Sequence, residues 1–102
     1  MNNPKRVLEL EIDEEKLSCI LEKLQTRLQE ILKEQPYRKL EKLDIVLDAD
    51  IPDNDTALNL KLSVSADGSR PVTPSYDEIL ARLIDKLRAK FEEILENGEC
   101  NN

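Results

Sequence analysis

A chain of 102 residues with 36% charged and 39% hydrophobic side chains can form one domain, burying roughly 60 to 65% of its unfolded surface without metal or disulfide. Its net charge of −7 disfavours nucleic acid and anionic membrane, because affinity for phosphates comes largely from Lys and Arg that release condensed counterions. It has no histidine, which removes the commonest general base, the commonest metal ligand and every Ser-His or Cys-His nucleophile pair.

From Arg6 to Ile12, Leu8, Leu10 and Ile12 alternate with Val7, Glu9 and Glu11, a period of two that predicts a half-buried first strand. Leu17, Leu21, Leu24, Leu28 and Ile31 then follow helical spacing, with Ile20 and Leu32 widening the stripe. That pattern predicts a helix of about six turns, stopped before Pro36. Past the connector Tyr37–Lys42 the period returns to two. Leu43, Ile45 and Leu47 share one face, and Asp44, Val46 and Asp48 share the other.

The turn formers of IPDNDT lead into a third strand, in which Leu58, Leu60, Leu62 and Val64 alternate with Asn59, Lys61, Ser63 and Ser65. Asp67-Gly68 could open another hairpin, but Pro71 and Pro74 cannot donate ladder hydrogen bonds, so a loop is expected. Ser75 stands three residues before Glu78 as a capping box, and Leu80, Leu83, Ile84, Leu87, Phe91, Ile94 and Leu95 carry a second helix to Gly98.

The order strand, helix, strand, strand, helix predicts an α+β domain over 1–102, ordered from about 6 to 97 between short flexible termini. One apolar face per strand and a right-handed first crossover give a three-stranded antiparallel sheet in order 1-3-2, with two helices on one face. Its topology is KH-like. Both outer strands are then free edges, and Val7, Glu9 and Glu11 on the first and Asp44, Val46 and Asp48 on the second are the candidate partner-binding positions.

Chemistry-bearing patterns are weak. Asp48, Asp50, Asp53 and Asp55 suggest a calcium loop, yet counted from Asp48 the EF-hand glycine and bidentate glutamate positions hold Asp53 and Asn59. With only Gly68 and Gly98, no phosphate-cradling loop can be built, and the carboxylates read as solvated faces and helix starts. No catalytic residue, metal or cofactor is expected. KH domains clamp RNA with a GXXG loop, which is lacking, and Tyr37, Tyr76 and Phe91 lie outside the strands where stacking would need them. The start MNNPKRVLELEID has no apolar signal-peptide region, so a soluble cytoplasmic protein is expected, with Cys19 and Cys100 both reduced.

The order of elements, the hairpin LDIVLDADIPDNDTALNLKLSV and the last helix SYDEILARLIDKLRAKFEEILENG resemble a small archaeal family, over nearly 6–97. That family is similar to the dimerisation subunit of KEOPS, the complex that makes threonylcarbamoyladenosine on tRNA. The resemblance implies a non-catalytic subunit that pairs with a copy of itself or a paralog. It also implies helices that pack against the N-terminal helices of the threonylcarbamoyl-transferring subunit, while the acidity of the chain leaves tRNA contact mainly to the partners. The composition merely permits that reading, and the alternative is an unrelated acidic interaction or chaperone-like module. The acidity of both edges favours a less acidic partner strand, and hence a heterodimer over a strong homodimer.

Overall fold

The period-two segments become three strands, β1 (Lys5–Asp13), β2 (Asp44–Asp50) and β3 (Ala57–Ser65), in a computed structural model that describes residues 4–40, 42–50, 57–67 and 73–100. β3 lies in the middle, antiparallel to both neighbours, so the sheet order is β1-β3-β2 as the connectivity requires. Register follows side-chain character. Leu8, Leu10 and Ile12 stand opposite Leu62, Leu60 and Leu58, and all six are buried. A slip of one residue would turn every one of these side chains to the wet face.

Two helices cover that apolar face: α1 (Leu17–Ile31), entered through a 3-10 turn at Glu14–Lys16, and α2 (Tyr76–Glu96). α2 packs on β1 and α1 packs along α2. The core between them includes Ile20, Leu24, Leu58, Ile79, Leu83 and Leu87. α2 starts as its capping box predicts, with Ser75 Oγ accepting from the Glu78 amide at 3.2 Å. The Glu78 carboxylate accepts from Arg82 at 3.0 Å.

α1 is shorter than its apolar stripe suggests, at 15 residues. Beyond Leu32 the amides of Lys33 and Glu34 donate to the carbonyls of Glu30 and Ile31, three residues back, so the helix tightens and ends early. The cause is Pro36, whose ring would clash with the Leu32 carbonyl in a continued helix and which keeps Gln35 out of helical geometry.

Two further expectations are corrected. The apolar face of β2 is only partly covered: Leu43 and Ile45 are half-buried and Leu47 is 51% exposed. α1 leans on α2 rather than down on β2, which leaves this outer strand open on its apolar side as well.

The cysteines are not free thiols. After α2 the Gly98 amide donates to Leu95 and the Glu99 amide to Ile94, with Gly98 at φ 64°, the left-handed Schellman arrangement that glycine adopts without steric cost. The chain turns back onto α1, and Cys100 is joined to Cys19 with their Cα atoms 5.8 Å apart. Residues 98–100, read as frayed, are therefore tied down, and Cys100 is buried. Separation by 81 positions in sequence concealed adjacency in space.

The acidic hairpin tip with Asp53 and Asp55, and the loop positions Gly68 and Pro71, lie outside the described residues. Among the described residues no helix is long and apolar enough to cross a membrane.

Candidate interaction surface

Because side chains alternate across a strand, the residues of β1, β3 and β2 that point away from the helices stack in rows. The register sets these rows as Lys5, Ser65, Asp44; Val7, Ser63, Val46; Glu9, Lys61, Asp48; and Glu11, Asn59, Asp50. All six candidate positions from the sequence, Val7, Glu9, Glu11, Asp44, Val46 and Asp48, are exposed and share this open face. Their side chains rise from the face, while the edges themselves present backbone N–H and C=O groups.

The face has two parts. Val7 and Val46, 41% and 54% exposed, flank Ser63 as an apolar spot on an otherwise wet surface. Below them is a shallow acidic depression of about 550 Å³, where Glu9, Glu11, Asp48 and Asp50 surround Asn59 and Lys61. Lys61 on the central strand lies between Glu9 and Asp48, which relieves repulsion across the row. β1 and β2 are separated by the one strand between them, about 10 Å at ordinary strand spacing, so a partner strand could reach either edge but not both.

On the helical side the open flank of β2 forms an apolar groove of about 400 Å³ against α1, lined among others by Leu21, Leu28, Ile45 and Leu47. The sequence carries no sign of it, since Leu47 has the same periodicity as a core residue. Only the lean of α1 decides its exposure.

Among the described residues no polar or charged side chain is buried, and no cluster of three or more His, Cys, Asp or Glu is arranged to hold a metal. Electrostatic perturbation is resolved on the helical side. There a hydrogen bond from Lys86 holds the Glu34 carboxyl below its usual range, and the same bond raises the Lys86 ammonium.

No protein-family model matches the chain, and no curated protein matches it significantly. A crystal structure of a protein from Thermococcus onnurineus NA1 superposes on 95% of this chain and 91% of its own, with a TM-score of 0.57 and 20% sequence identity. At that identity the likeness shows a shared α+β fold and nothing of function.

Proposed function

We propose that this protein is a non-catalytic assembly subunit of a KEOPS-like complex that makes threonylcarbamoyladenosine on tRNA, binding a paralogous small subunit and the catalytic subunit. The resemblance of the hairpin and last helix supplies the named complex. The observation that supports assembly is the sheet itself, with an edge strand, β2, exposed on both faces through Val46 and Leu47 and lying next to an acidic face.

A neighbouring strand added to such an edge gains main-chain hydrogen bonds, and the side chains of both faces then select the partner. If two copies paired through β2 centred on Val46, Asp44 of each would face Asp48 of the other, and each like-charge pair is unfavourable by up to roughly 1 kcal/mol. A less acidic paralog avoids that repulsion, and its basic residues would meet Glu9, Glu11, Asp48 and Asp50. The helices remain available to the catalytic subunit, and tRNA is bound by the partners.

The experiment is affinity capture with the tagged protein, followed by size exclusion with light scattering of the protein alone and mixed with the paralog. Capture of the threonylcarbamoyl-transferring subunit and a 1:1 heterodimer with the paralog are expected. A homodimer that persists at nanomolar concentration without exchanging subunits, or failure to capture the catalytic subunit, would refute the proposal and favour an unrelated interaction module.

A further inference from the structure

Cys19, Lys23 and Arg27 follow one another at four-residue steps on α1, so they line one stripe of that helix. The segment after Gly98 lies along it. Cys100 is bonded to Cys19; the Glu99 carboxylate accepts from Arg27 through both oxygens, at 2.9 and 3.1 Å, and stands 3.9 Å from Lys23 Nζ. The tail is thus fastened by one covalent bond and one ionic cluster. Partly exposed ion pairs hold long side chains weakly, so the covalent bond decides whether the tail stays down.

We propose that Cys19–Cys100 is a redox-operated latch on the helical layer. A dithiol reductant opens it, freeing residues 99 and 100 from α1, and a disulfide oxidant closes it. In opening, a thiolate of the reductant attacks the sulfur of Cys19, which belongs to the less buried of the two residues. The sulfur–sulfur bond breaks, and its electron pair leaves on Cys100, which takes up a proton. The second thiolate of the reductant then attacks the mixed disulfide and expels Cys19, which is protonated in turn. Two electrons and two protons reach the protein, and the reductant departs as its own disulfide.

Opening has a defined consequence. It uncovers Cys100, now 7% exposed, and strips Lys23 and Arg27 of the Glu99 carboxylate that pairs with both. A cationic stripe then appears on the helices of a chain whose net charge is −7. The latch does not rest on the assembly reading, since it is argued from the α1 stripe and the tail alone.

The test uses the full chain in buffers of oxidised glutathione or of dithiothreitol, with thiols titrated after denaturation and cleavage followed with a Glu-specific protease. The oxidised protein should yield no free thiol and the reduced protein two. Cleavage at Glu96 and Glu99 should be about tenfold faster or more on reduction, as expected of a locally opened segment. Cys100→Ser should show the fast rate in both buffers, and the wild-type comparison stands alone if that variant does not fold. Two titratable thiols in oxidised glutathione, or cleavage at Glu96 and Glu99 unchanged by reduction, would overturn the latch. So would cleavage of the reduced protein at Glu9 and Glu78 as fast as at Glu96 and Glu99, which would mean that the tail opens only when the whole fold does.

Discussion

Lys86 of α2 donates to Glu34, just past α1, at 2.8 Å, and its ammonium also lies 5.4 Å from the centroid of the Tyr37 ring. One cation thus joins the second helix to the connector that leads from the first helix to β2. The carboxylate is the stabilised form of Glu34, so its pKa is lowered, and the ammonium is the stabilised form of Lys86, so its pKa is raised.

The pH dependence follows from those directions. The contribution of Glu34 is present above the ordinary glutamate range and is lost as pH falls through its depressed value. That of Lys86 is present below the ordinary lysine range and is lost as pH rises through its raised value. Both are complete near neutrality. In Lys86→Met, carbon-detected NMR titration should find the Glu34 carboxyl returned upward to the ordinary range. An unchanged midpoint would contradict the pairing.

The Cys19–Cys100 bond closes most of the chain into one loop, which restricts the unfolded state more than the folded one. In the chain-entropy account a loop of this size is stabilising by roughly 2 to 5 kcal/mol. For a domain of this length the corresponding fall in Tm on reduction is on the order of 10 °C or more. Differential scanning calorimetry with and without a phosphine reductant checks this, and coincident transitions would contradict it.

Position on the sheet should separate two leucines that look alike in sequence. Leu60, on the central strand and buried, should cost about 2 to 5 kcal/mol when cut to Ala. Leu47, half open to solvent, should cost under about 1 kcal/mol. Urea denaturation of both variants decides, and equal losses would mean that β2 is covered after all.

These two leucines also mark how far the sequence could be read. Alternation of apolar and polar residues determines each strand and its inward face, and β3 behaves as its pattern says from Leu58 to Val64. The Ser75 cap and the Gly98 turn are local, so they too are legible. The exposure of Leu47 depends on the tilt of α1, and the pairing of Cys19 with Cys100 on the packing of two helices. Both are tertiary facts that leave no mark on spacing. The open face was legible in its members, Val7 to Glu11 and Asp44 to Asp48, because period two places them opposite the core. Their grouping into an apolar row and an acidic row required the register.

The α2 start offers a narrower check. Ser75→Ala removes the acceptor of the Glu78 amide and should destabilise by about 1 kcal/mol, while Ser75→Asp should restore most of the loss. Thermal melts followed by circular dichroism would register both. A neutral Ser75→Ala would show that the cap contributes nothing to stability.

The account as a whole rests on assembly through a sheet edge, and amide hydrogen exchange in the reconstituted complex measures that most directly. When the protein is mixed with the proposed partners, a paralogous small subunit and the threonylcarbamoyl-transferring subunit, amides on the outer side of β1 or β2 should exchange about tenfold more slowly or more than in the free protein. Amides of β3, already paired on both sides, should change little. Failure of the three proteins to associate, or a complex in which exchange along both β1 and β2 is unaltered, would contradict the account.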